Sequence, residues 1–212
     1  MDTIVLTCMD PRLNKYLDDE YLSDAGRKKY GSVEIWRNAS GRLPPVDELI
    51  GSGARKIILA PHTDCKAKEY MYNTLKKEVS GLRNDQIVSQ ASGLVKGKDF
   101  STREEFDRLV NEEEEIFLKG KVAKHNIDVA LKVVDISRIA VQPHAAEEKM
   151  LVISSETSAT SEGIAAKAGV ALPCCYIIQG PFLKDLSPDI NLALGLGIKR
   201  LDIITENGRP FR

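Results

Sequence analysis

The chain has 212 residues, of which 42% are hydrophobic and 29% charged, a balance that fits a globular protein of one domain, or two small ones, with a sizeable core. Its 30 Lys and Arg against 31 Asp and Glu leave a formal net charge of -1, so no global positive field favours nucleic acid as a partner. No apolar run approaches the roughly 20 residues that a membrane-spanning helix needs, and the longest, Val170 to Ile178, is broken by Pro173. The opening Met1-Asp2-Thr3 carries no basic stretch, which argues against a secretory leader and makes the cytoplasm the expected compartment. There the four cysteines, Cys8, Cys65, Cys174 and Cys175, stay reduced and free for metal or chemistry.

Short runs rich in β-branched residues alternate with longer amphipathic ones. Ile4 to Thr7, Ser32 to Trp36 and Lys56 to Ala60 read as three strands. Leu13 to Tyr30 between the first two is polar, helical or loop. Pro44 and Pro45 stand where a second connecting helix begins, and Gly51 and Gly53 where it stops. This rhythm predicts an α/β fold with a mostly parallel β-sheet flanked by helices. A helix is expected over Ala67 to Val79, and another from Ser101 or Thr102 to about Lys124. Each of those starts has a glutamate three residues on, the capping-box spacing. Phe106, Leu109, Val110, Ile116 and Phe117 form its apolar stripe, and Glu112 to Glu115 its solvated face. Val133 to Val141 reads as a fourth strand.

From about residue 146 the opening rhythm returns. Leu151 to Ser154 echoes Ile4 to Thr7, Tyr176 to Ile178 stands for the second strand, and Pro188 to Ile204 parallels Pro44 to Leu59 with both glycines. Residues 1–212 read as a single α/β zinc domain. In it 146–212 is either an extension of 1–145 or a degenerate repeat that has lost its chemistry, since Ser155-Glu156-Thr157 stands for Cys8-Met9-Asp10.

The chemistry gathers at two strand ends: Cys8-Met9-Asp10-Pro11-Arg12 after the first and His62-Thr63-Asp64-Cys65 after the third. Carboxyl ends of neighbouring parallel strands share one crevice, where ligands usually bind. Two thiolates and an imidazole suit a tetrahedral Zn2+ and leave one position open, as catalytic sites do. Asp10 is close enough to Cys8 to meet that position or a water in it, and Arg12 is placed to hold Asp10 in a bidentate pair. Cys65 is expected to open a helix whose N-terminal dipole favours its thiolate.

In order and spacing, Cys8-Met9-Asp10-Pro11-Arg12, Arg37-Asn38-Ala39 and His62-Thr63-Asp64-Cys65 resemble the β-class carbonic anhydrases. The resemblance covers about residues 3 to 80, with the strand near Val133 a match to a later family strand and nothing matched beyond about 145. It implies zinc on Cys8, His62 and Cys65, Asp10 and Arg12 as a catalytic dyad, and Asp10 as a fourth ligand part of the time. It also implies reversible hydration of carbon dioxide to bicarbonate by zinc-hydroxide attack, and a homodimer, for which an intrachain pseudo-dimer is the alternative. The pattern departs from the family at Lys66 (usually Gly), at Ser40 before Gly41, and at Pro61. Carbon disulfide or carbonyl sulfide hydrolysis on the same five residues stays open, as does a non-catalytic zinc-binding relative.

Other features have plainer readings. Gly51-Ser52-Gly53 and Gly195-Leu196-Gly197 follow helices and precede strands, the reverse of a dinucleotide loop. Cys174 and Cys175 read as core packing, His125 as a surface residue and His144 as a loop histidine rather than a proton shuttle. Ser154 to Ser161 reads as a capped loop rather than an anion site.

Overall fold

β1 (Thr3–Cys8) is buried along its whole length, the pattern of a parallel strand covered on both faces. The structure, a computed structural model, describes residues 1–76, 85–139, 149–181 and 186–205. After β1 come a 3-10 turn (Pro11–Leu13), α1 (Asn14–Leu17), a π-helical turn (Asp18–Leu22) and α2 (Asp24–Tyr30). β2 (Val33–Asn38), α3 (Val46–Gly51) and β3 (Lys56–Ala60) complete the first unit. α4 (Lys66–Leu75), α5 (Asp85–Leu94), α6 (Arg103–Val122) and β4 (Asp128–Leu131) follow. The last third holds β5 (Met150–Ser154), α7 (Ser161–Lys167), β6 (Cys175–Gln179), α8 (Ser187–Gly195) and β7 (Arg200–Ile204).

The strands form one seven-stranded sheet in the order β4-β3-β1-β2-β6-β5-β7. Every neighbouring pair is parallel except β2 and β6, which meet antiparallel with Arg37 opposite Gln179. The protein is thus α/β, with a mostly parallel sheet flanked by helices. Ile4, Leu6, Trp36, Ile57 and Leu59 pack on one face against Leu49 of α3 and Leu118 and Val122 of α6. Val5, Ile35 and Ile58 join Leu13, Leu17 and Met71 in a second cluster. Each such aliphatic side chain contributes about 1.5–3 kcal/mol by leaving water.

The strand registers carry an internal symmetry. Thr7 pairs with Arg37 on β2 and with Ala60 on β3. Ser154 pairs with Gln179 on β6 and with Ile204 on β7. The triplet β3-β1-β2 therefore matches β7-β5-β6 position for position, and the matching residues Arg37 and Gln179 face each other where the two triplets meet. This register aligns Ile4–Thr7 with Leu151–Ser154, the same alignment as the sequence echo.

Several expectations need correction. The fourth strand is Asp128–Leu131, not Val133–Val141. Among the described residues 132–139 no strand continues past Leu131: one isolated parallel bridge joins Val134 and His62, where the Val134 N–H donates to the Pro61 carbonyl. Pro61 has no N–H to return, Val133 is half-exposed, and Asp135 caps a 3-10 turn over Ile136–Arg138; residues 140–148, His144 included, lie outside the described residues. The helix expected to reach Val79 is described to Leu75, with 77–79 also outside them. α5 was not anticipated. α6 starts at Thr102 with the full capping box, but its buried stripe is Phe106, Val110, Asn111, Glu114, Leu118 and Val122. Ile116 and Phe117 point outward, and the glutamate run is not wholly a solvated face, because a spacing of four from Phe106 and Val110 carries Glu114 inward.

Candidate metal centre

Cys8 is the last residue of β1, and His62 and Cys65 follow the end of β3. Thr7 pairs with Ala60, so the two strands end side by side. Cys65 occupies the N-cap of α4, whose Glu69 N–H bonds to the Cys65 carbonyl at 3.0 Å. The ligand atoms of Cys8, His62 and Cys65 all lie within 4.8 Å of one another, and all three residues are buried.

These residues fit a zinc ion. The two sulfurs are 4.0 Å apart, close to the roughly 3.8 Å that a tetrahedral ion with about 2.3 Å zinc–sulfur bonds demands. His62 Nδ1 lies 2.7 Å from the Thr63 carbonyl, which as acceptor fixes the proton on Nδ1 and leaves Nε2 as the lone-pair nitrogen. Nε2 itself is buried with no hydrogen-bond partner, a costly arrangement unless a ligand takes it up. The sulfur contact with Cys8 holds the Cys65 thiol well below its ordinary range, while the same contact and burial push Cys8 up. A cation bound between the two sulfurs would take the place of their protons.

Asp10 borders this group, with its Oδ2 3.9 Å from His62 Nε2. Its carboxylate is held by Arg12: Nε donates to Oδ1 at 3.0 Å, Nη2 donates to Oδ2 at 2.7 Å, and the Arg12 backbone N–H donates to Oδ1 at 2.9 Å. Burial alone would raise the Asp10 pKa; the bonds from Arg12 outweigh it and keep the carboxyl below its usual range. Arg12 also reaches across to the second loop, donating from Nη1 to Asp64 Oδ2 at 2.8 Å and from Nη2 to the Asp64 carbonyl at 2.9 Å. Lys66, a departure from the family pattern, pairs with Glu69 at 2.6 Å and is half-exposed on the helix surface.

Residues that sequence reading gave no role hold these loops. Arg37, 1% exposed, donates from Nε to the Cys8 carbonyl and from Nη2 to the Asp10 carbonyl, both at 3.1 Å. Gln179, its match across the seam, donates to the carbonyls of Glu156 and Ala159 in the second half. Arg103, the first residue of α6, donates to the Cys65 carbonyl at 3.0 Å; only its position just after a capping box marks it in the sequence. Gly41, at φ 72°, lies so close to β1 that a Cβ there would meet the Thr7 backbone at 3.0 Å, which accounts for a glycine at that site.

The second half carries no ligand set like the first among the described residues. Asp18 accepts from the Ser161 and Glu162 N–H groups at 2.7 and 3.1 Å, so the start of α7 already has its anion. Cys174 and Cys175 are buried thiols in no disulfide, His125 is exposed, and Gly53 and Gly197 terminate helices at positive φ, all as expected. A cavity of about 730 Å³ crosses the β2–β6 seam between Trp36, Arg42, Phe117 and Ile178, and none of Cys8, His62 and Cys65 lines it.

Fold and site together define an α/β protein with a buried Cys-His-Cys group beside an Asp–Arg pair. No protein-family model matches the chain, and no curated protein matches it. Among solved structures it is similar to a carbonic anhydrase from Glaciozyma antarctica, at 19% sequence identity and a TM-score of 0.36, over 64% of this chain and 77% of that one. No helix among the described residues is long and apolar enough to cross a membrane.

Proposed function

We propose that the protein is a zinc-dependent lyase that hydrates carbon dioxide reversibly to bicarbonate. The observation that carries this reading is the buried, partnerless His62 Nε2, which faces two convergent thiols beside an ionised Asp10. Zinc on Cys8, His62 and Cys65 would supply a nucleophile from water at neutral pH. Arg12 keeps Asp10 ionised and fixes its rotamer, and Oδ2, which accepts from Arg12 Nη2 and faces His62, would use its remaining lone pair to accept a hydrogen bond from the group that enters beside His62. Asp10 has no proton to give, so its task is to orient the attacking group toward the carbon of a small linear substrate. Arg37 and Arg103 hold the carbonyls of Cys8, Asp10 and Cys65, which keeps both ligand loops in place during turnover.

The same reading favours the intrachain pseudo-dimer over a homodimer. β6 occupies the open edge of β2, and the second half braces the site directly. The Ile177 N–H donates to the Met9 carbonyl at 3.2 Å, and Asn14 Nδ2 donates to the Leu172 and Cys175 carbonyls at 2.9 and 3.0 Å.

Stopped-flow acidification of carbon dioxide solutions by zinc-loaded protein tests the reading. Turnover that disappears with Asp10→Ala supports it. Hydrogen sulfide release from carbon disulfide or carbonyl sulfide without hydration would move the assignment to a hydrolase using the same residues. Full zinc occupancy with neither activity would make the site structural.

A further inference from the structure

Arg12 has two carboxylates to choose from, and the sequence motifs explain only one of them. Its guanidinium sits between Asp10 and Asp64: Nε and Nη2 serve Asp10, while Nη1 serves Asp64 Oδ2 at 2.8 Å and Nη2 also serves the Asp64 carbonyl at 2.9 Å. Asp64 lies in the left-handed backbone region at φ 54°, a conformation that Asp and Asn tolerate better than most residues. On its far side Arg103 Nη1 approaches Asp64 Oδ1 at 3.6 Å. A charge chain therefore runs Asp10–Arg12–Asp64–Arg103, from the turn after β1 to the start of α6.

Asp10 also has two options. Its Oδ2 is 3.9 Å from His62 Nε2, so a modest side-chain rotation would bring it onto an ion held by His62 and the two cysteines. Arg12 holds both oxygens of Asp10 where they are, and on its far side Arg12 is held by the Asp64 carboxylate and backbone carbonyl. Resting on the zinc reading above, we propose that Asp64 is a positioning residue that anchors Arg12, and so keeps Asp10 off the metal and leaves the fourth position to an incoming ligand. The Asp64 side chain is 53% exposed, so the Arg12–Asp64 pair contributes little to global stability; its effect lies in where it holds the guanidinium.

The test uses cobalt-substituted full-length protein at one fixed pH, read by visible absorption, with azide as the probe ligand. Asp64→Gly and Asp64→Asn both accept a positive φ, so neither strains the loop. In the wild type azide should shift the cobalt bands. In Asp64→Gly the azide-free bands should already be altered by Asp10, and azide affinity should fall about tenfold or more. Asp64→Asn, which keeps a neutral acceptor, should lie between the two. Adding Asp10→Asn to Asp64→Gly should restore the azide response, an outcome that a merely structural role for Asp64 would not produce. A cobalt-loaded Asp64→Gly with wild-type bands and wild-type azide affinity overturns this inference alone. Loss of cobalt from both Asp64 variants also overturns it, since Asp64 would then hold the ligand loop and not Arg12. Failure of the wild type to take up cobalt overturns the metal reading, and this inference with it.

Discussion

Replacing Glu114 with glutamine should change how the stability of the protein depends on pH. Glu114 lies on the inner stripe of α6, 7% exposed, and burial pushes its carboxyl up from 4.5 to about 7 against the opposing pull of Lys68. Lys68 is itself 1% exposed and donates to Asn111 Oδ1. Between the two values the folded chain keeps the Glu114 proton while the unfolded chain has released it. The native state then binds more protons, so unfolding free energy falls as pH rises. Each pH unit crossed removes about 1.4 kcal/mol, so the window from 4.5 to about 7 carries about 3 kcal/mol. Glutamine mimics the protonated form and has no such window. Urea unfolding at pH 5 and pH 8 should therefore find Glu114→Gln close to wild type at the lower pH and more stable by about 2–3 kcal/mol at the higher. If the difference between variant and wild type is the same at both pH values, Glu114 titrates normally and the burial argument is wrong.

Other perturbations have outcomes set by the same contacts. Asp189, 1% exposed on α8, accepts from the Ala39 N–H at 2.6 Å and pairs with Arg42 at 2.5 Å; Asp189→Ala should cost about 3–5 kcal/mol in urea unfolding, and a loss below about 1 kcal/mol would contradict the buried pairing. Lys66→Gly should leave carbon dioxide hydration within about twofold of wild type, because the ammonium is tied to Glu69 on the helix surface and surface pairs contribute little; a large gain would mean that the lysine reaches the site. Sedimentation equilibrium should return the mass of one chain at micromolar concentration, since β6 fills the edge of β2; a stable dimer would refute the pseudo-dimer.

What was legible in the sequence was local or strand-terminal. Cys8, His62 and Cys65 end predicted parallel strands, and strand ends in such sheets converge, so their meeting followed from order alone. Thr102 and Glu105 announced the start of α6 through a capping box made within one turn. What escaped was set by distant partners. Glu114 looks like one of four solvated glutamates until α4 brings Lys68 against the same helix. The fourth strand was misplaced because Val133, in an apolar run, is half-exposed beyond the last ladder pair at Leu131. The grip of Arg37 on two loop carbonyls needs β1 and β2 in register, and the Arg103 contact needs α6 to return to the β3 end. The echo after residue 146 hinted at a second unit, but only the antiparallel β2–β6 pair shows how it joins the first.

We propose that Cys8, His62 and Cys65 hold one catalytic zinc ion that works with Asp10. The most direct measurement takes zinc content by mass spectrometry and carbon dioxide hydration by stopped flow on the same preparations of wild type, Cys8→Ser and Asp10→Ala. One equivalent of zinc with hydration in the wild type is expected. Cys8→Ser should lose the zinc, and Asp10→Ala should keep it while hydration falls at least about a hundredfold. Zinc content unchanged by Cys8→Ser, or full hydration by Asp10→Ala, would refute this assignment of the site.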